Sequence, residues 1–161
     1  MGPTDRFYQR TKYCKSGGEK RLVGRLNFCY DKLAVTVRPI IFISAVSKEL
    51  RSARQLVANT LQLLGYEPEW QDIFGTEGGA LRGMICRRID ESAGVVQLVG
   101  QCYGAEPATI DEQFGRVSYT QYEALYAKQR GKKVWYLLLD SDFTADPHDA
   151  EPEELRALQT A

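Results

Sequence analysis

Ile40-Ile41-Phe42-Ile43-Ser44-Ala45, introduced by Pro39, is the stretch whose reading decides the fold. An unbroken apolar run rich in β-branched residues is the pattern of a strand buried on both faces, as in a parallel sheet. Residues 44–47 make the turn that follows. Ser47 is placed to cap a helix, and Glu49 in its first turn would face the positive end of the helix dipole. Leu50, Ala53, Val57, Leu61 and Leu64 then recur at helical spacing, and Gly65 stands where a C′ glycine ends a helix.

The same alternation continues outward from this unit. Residues 66–71 predict a short second strand. Residues 72–79 predict a loop punctuated by Gly75, Gly78 and Gly79. A second helix carries Leu81, Met84, Ile85, Arg88 and Ile89 on one side, with Cys86 on it. Residues 94–99 predict a third strand, followed directly by Gly100-Gln101-Cys102-Tyr103-Gly104 and a polar loop. Ser118 can cap a third helix running from about residue 119 to residue 130, with Tyr122, Leu125 and Tyr126 facing the core and Gly131 ending it. Residues 132–140 form a fourth strand whose inner run is almost wholly apolar, as a central parallel strand requires. Glu153 to Gln159 predicts the start of one more helix.

Strands alternating with helices specify an α/β fold with a mostly parallel sheet. Right-handed crossovers make 2-1-3-4 the expected strand order. Ligands of such sheets bind where the strand order reverses, outside the carboxyl ends of the strands. That crevice would lie between the loop around Ser44 and Ala45 and the loop holding Gly100, Tyr103 and Gly104. Glu123, inside the third helix, is expected to point toward it.

At 161 residues the chain has the length of a single domain. Its formal net charge is zero, so nothing global points to nucleic acid or to an anionic membrane. The charge is nonetheless uneven. Residues 1–38 are basic and lack a sustained period, which reads as a poorly ordered leader ahead of a domain at residues 39–140. Residues 141–161 form an acidic tail that could pair with that leader. Cys14, Cys29, Cys86 and Cys102 are scattered, and His148 is the sole histidine, so no zinc-ligand cluster is spelled out. Reduced thiols in a cytoplasmic setting fit this usage. No run is long enough to span a bilayer. Cys102 has no histidine near it in sequence and reads as a small buried residue. Trp70 and Trp135 read as packing residues, and His148 as exposed.

Several frequent tenants of α/β crevices lack their motifs. The turn after the first strand has no glycine, which removes the phosphate-binding P-loop and the dinucleotide fingerprint. The third strand ends in Val99-Gly100 rather than in the aspartate of a phospho-receiver. No Gly-x-Ser-x-Gly nucleophile elbow is present.

The set Ile41-Phe42-Ile43-Ser44-Ala45, Glu49-Leu50-Arg51 with Arg54, Ile89-Asp90-Glu91-Ser92, Val99 to Gly104, and Ser118-Tyr119-Thr120 with Glu123 resembles a TIR-like domain family of unknown function, related to Toll/interleukin-1 receptor domains. The resemblance covers residues 39–140 and extends to Asp146-Pro147-His148-Asp149. Members of that family often stand at the amino-terminal end of longer proteins, ahead of signalling NTPase modules or tetratricopeptide repeats. The resemblance implies a flavodoxin-like sheet of order 2-1-3-4-5. The fifth strand has no candidate here, so the chain is expected to be a piece of a longer protein or an incomplete domain.

Two functions follow from the resemblance. The first is a signalling module that associates with other TIR-like domains, as a homo-oligomer or through fused signalling domains. The second is a hydrolase that cleaves the nicotinamide N-glycosidic bond of NAD as substrate, with no resident cofactor and no metal. In that reading Glu123 is the carboxylate that stabilises positive charge on the ribose. Ser118 orients Glu123 or contacts the ribose, Tyr103 stacks on a ring, and Ser44, Ala45, Gly100 and Gly104 line the nucleotide. The polar residues 105–114 stand where many hydrolysing TIR domains carry an aromatic or acidic cluster, which favours the first reading.

Overall fold

A computed structural model describes residues 37–71, 81–140 and 142–159. The expected leader (residues 1–38), apart from Val37 and Arg38, and the glycine loop at 72–79 lie outside the described residues.

Four strands, β1 (Ile40–Ser44), β2 (Glu67–Glu69), β3 (Gly94–Val99) and β4 (Lys133–Leu138), form one parallel sheet in the order β2-β1-β3-β4. Four helices accompany them: α1 (Arg51–Leu63), α2 (Leu81–Glu91), α3 (Tyr119–Gln129) and α4 (Glu153–Gln159). The architecture is the expected α/β one with the expected order. β2 is shorter than the span predicted for it.

Strand alternation divides the core between the two faces. Phe42 and Val95 are partners across β1 and β3, and they pack with Ile85, Ile89, Tyr122 and Ala127 of α2 and α3. Ile43 and Leu98 point the other way and pack with Leu50 and with Ala58 of α1. Each face of β1 therefore meets a helix layer, which is why its sequence is apolar without alternation.

Gly65 and Gly131 end α1 and α3 in the left-handed region, with φ of 87° and 68°. After each, the chain folds back in the same pair of bonds. Gly65 N–H donates to Gln62 O and Tyr66 N–H to Leu61 O, while Gly131 N–H donates to Lys128 O and Lys132 N–H to Ala127 O. This is the Schellman arrangement, and it satisfies carbonyls the helix end would otherwise leave open.

Three expectations need correction. α1 begins at Arg51 with Leu50 before it, so Ser47 is no cap; its hydroxyl accepts from the Arg54 guanidinium at 3.0 Å. Leu64 and Leu125 were placed on core faces but are exposed, while Arg54 and Glu123 are buried instead. β4 is not central: it is the last strand of the sheet, and Trp135 to Leu138 are all substantially exposed. Arg88 of α2 pairs with Glu69 at 3.4 Å and with Glu91 at 3.5 Å.

Phe42 is 1 % exposed at the centre of the α2–α3 layer. Phe42→Ala should lower unfolding free energy by about 3–5 kcal/mol in chemical denaturation, through lost transfer energy and the cavity left behind.

Candidate functional site

The carboxyl ends of β1 and β3 meet at the point where the strand order reverses, and the loop after β3 dominates what is found there. Its backbone N–H groups point outward in succession, and four of them, from Gln101 to Gly104, are taken by carboxylates. Glu49 receives the first two, from Gln101 at 2.7 Å and from Cys102 at 3.0 Å. Glu151 receives the next two, from Tyr103 and from Gly104, each at 2.8 Å. A row of amides converging on oxyanions is an anion-binding concavity. Here both anions are side chains of the chain itself.

Glu49 is 2 % exposed. A buried carboxylate is tolerated because the two amide bonds are charge-assisted and replace lost hydration. Its position excludes a side chain from Gly100: a Cβ there would lie 2.5 Å from the Glu49 carboxylate. Gly104, with φ of 90°, sits against Val46 in a backbone conformation that side chains disfavour. The glycines bracketing Gln101-Cys102-Tyr103 are thus required by close approach at one end and by dihedral angle at the other.

The acidic tail closes over this loop as a strap. Asp146 N–H donates to Glu49 O at 2.9 Å, and the Asp146 carboxylate accepts from Ser52 N–H at 2.7 Å. Asp146 therefore caps α1 from the far end of the chain, a role that Leu50 at the helix start cannot fill. His148 Nε2 lies 3.3 Å from Cys102 Sγ, and His148 Nδ1 lies 2.7 Å from Asp146 O. A carbonyl can only accept, so Nδ1 carries the proton; in the neutral ring Nε2 then accepts from the Cys102 thiol. Gln159 of α4 donates to Gly100 O at 3.1 Å.

The Cys102–His148 pair corrects the expectation that no histidine serves this cysteine. The pair is not an activated one. Burial, and then the charges of Glu49 and Glu151, push the Cys102 thiol up to about 11. A thiol held that high is a poor nucleophile at neutral pH.

Between the strap, the turn after β1 and the start of α3 lies a cavity of about 550 Å³. Val46, Tyr119 and Leu155 give it apolar walls, and Glu151 and Lys48 give it charge. Ala45 and Gly104, both expected to line a ligand, lie on its wall. Other expected site residues are placed differently. Ser44 is buried, and its hydroxyl points at Thr120 O, 3.5 Å away, while Gln97 donates to the same carbonyl at 3.2 Å. Tyr103 is 1 % exposed and its hydroxyl donates to Glu106, so its ring cannot stack on a ligand in the cavity. Gly100 is packed against Glu49 rather than open to a nucleotide. Ser118 is fully buried and spends its hydroxyl in a capping box with Gln121 and in a 3.0 Å bond with Thr120, as the sequence allowed for its capping role. Glu123 is 2 % exposed and does not line the cavity. The structure thus brings Ala45 and Gly104 to the cavity wall and leaves Ser118 and Glu123 behind it.

Glu49, Asp146, His148 and Glu151 were missed as site residues by sequence reasoning. Among the described residues no group of acidic, histidine and cysteine side chains is arranged to hold a metal ion, and no helix is long and apolar enough to cross a membrane.

Residues 40–160 match a family described as a domain of unknown function, DUF4062. No curated protein matches the chain.

The Ser52 amide bond holds the Asp146 carboxyl below the ordinary aspartate value of 3.8. A lowered folded-state value means that this contact stabilises the fold fully above the ordinary value and loses its effect as pH falls through the folded one. The melting temperature of the parent should therefore exceed that of Asp146→Asn at neutral pH. The gap should narrow as the pH is taken below the ordinary aspartate value, in melts followed by circular dichroism.

Proposed function

The chain belongs to the DUF4062 family, and we propose that its domain is a TIR-like, cytoplasmic signalling and interaction module that works by self-association within a larger protein. The observation that carries this reading is β4. It is the outermost strand of the sheet, and no further strand pairs with it among the described residues. Trp135, Tyr136, Leu137 and Leu138 are 39 %, 42 %, 42 % and 80 % exposed. An open strand edge flanked by apolar side chains is a template for pairing with another chain.

The occupant proposed for this edge is a second copy of the domain. α3 covers one face of β4, whereas α1 packs over β1 and β2 and leaves Trp135 and Leu137 beyond its reach. An antiparallel pairing centred on Tyr136 would set Trp135 opposite Leu137 of the partner subunit, and Val134 opposite Leu138 of the partner subunit. Cross-strand pairs along the exposed run would then be apolar, and such pairs are the unit of sheet stabilisation. The two-fold symmetry needs a self-complementary edge, which this one is. Lys133 and Lys128 lie over the rings of Trp135 and Tyr136, each at 4.9 Å, and moderate the exposed edge in the free domain.

The alternative, NAD hydrolysis with Glu123 as the key carboxylate, has less support. Glu123 and Ser118 are buried behind the cavity wall, Tyr103 has no free ring face there, and the loop amides nearest a nucleotide are already bonded to Glu49 and Glu151.

Sedimentation velocity over a wide concentration range should show a reversible shift from monomer to dimer. Leu138→Lys, at a site too exposed to matter for folding, should weaken that dimer by roughly tenfold or more, the effect of replacing one apolar cross-strand contact by a charge. A strictly monomeric parent at high concentration, including within the full-length protein, contradicts the reading.

A further inference from the structure

We propose that the Tyr103 and Gly104 amides, together with the adjoining cavity, form a binding site for a small molecule with an apolar body and a carboxylate head, and that the Glu151 side chain holds this site shut as an internal stand-in for the head. The site stands apart from self-association and uses no residue of the proposed β4 pairing.

Three observations carry it. The first is the chemistry already displayed. A carboxylate with one oxygen on each of two adjacent amides, both at 2.8 Å, shows which head group the site accepts. The second is that the Glu151 carboxylate is dispensable to the strap's attachment. Asp146 holds the strap through Ser52 and Glu49, His148 holds it through Cys102, and Gln159 holds α4 through Gly100. The Glu151 side chain is only partly buried, so on this proposal it is the group that leaves for solvent while these other bonds keep the strap in place. Glu49 differs: it is buried, and Gly100 is packed against it, so it is a fixed part of the loop.

The third observation is the cavity. At about 550 Å³ it lies within the range of small-molecule sites, roughly 300–1,000 Å³, and it reaches Glu151 itself. Val46, Tyr119 and Leu155 supply apolar contact for a body, and Gly104 and the Glu151 that bonds both amides lie on the same wall. The surrounding charges select the head. Glu49 remains on the neighbouring amides, and Asp149 lies at the rim, so a doubly charged phosphate is repelled more than a singly charged carboxylate; Lys48 at the rim offsets part of this. A ligand that evicts Glu151 exchanges one carboxylate for another, so its affinity in the parent is reduced by the competition of a tethered, already bound group.

The probe is benzoate, with benzamide as its uncharged counterpart and inorganic phosphate as the dianion. Binding is read from the backbone amide resonances of isotope-labelled protein, in the parent and in Glu151→Gln. Benzoate should shift Tyr103 and Gly104 saturably in Glu151→Gln, at least tenfold more tightly than in the parent, while benzamide and phosphate bind more weakly than benzoate. Equal benzoate affinity in the two proteins overturns the proposal. So does benzamide binding as well as benzoate, or shifts that leave Tyr103 and Gly104 unmoved. Loss of the fold in Glu151→Gln also overturns it, because a displaceable stand-in cannot be a side chain the fold requires.

Discussion

A carboxylate buried at the carboxyl end of the sheet organises this domain. Glu49 lies on the connection from β1 to α1, yet its bonds run to the loop after β3, so it ties together the two strands between which the order reverses. The cost of burying a charge is offset by amides that would themselves be left without partners. Once Glu49 is in place, Gly100 must be a glycine, the loop must turn its N–H groups outward, and the next two amides are left for Glu151. Asp146 then bonds the backbone of Glu49 and the start of α1. The strap thus closes against a loop whose shape Glu49 has already set.

This arrangement bears on what the crevice can do. In doubly wound folds the reversal point is where ligands are usually held, and the amides after β3 are among the groups that would hold them. Here those amides are occupied from within, and the helix carboxylate Glu123 is buried behind the wall rather than facing the opening. The other end of the molecule's surface chemistry is the reverse: β4 leaves its edge and its large side chains available. Amides occupied from within and an open strand edge are the two features on which the proposed association reading rests.

The fold was largely legible in the sequence because its signals are local. The run from Ile40 to Ile43 is apolar because both faces of β1 are covered, and Gly65 and Gly131 mark helix ends because both take positive φ. β4 misled for a physical reason: a strand apolar on both faces looks central, and an edge strand that keeps such residues cannot be told apart by composition. The site was poorly legible. Glu49 and the amides of Gln101 and Cys102 are distant in sequence, and a carboxylate bonded to backbone N–H groups leaves no residue pattern at the receiving end. The same holds for Cys102 with His148. The glycines at 100 and 104 were the visible trace of this loop, and the family resemblance implied a nucleotide where the structure has Glu49 and Glu151.

The most direct test of the proposed interaction-module reading is release of nicotinamide from NAD by the purified protein, followed across concentrations that permit self-association. The account predicts no release above the uncatalysed background at any concentration. Release that grows with assembly and disappears in a folded Glu123→Ala variant would contradict it, and would make Glu123 a catalytic residue that becomes accessible only in the assembled state.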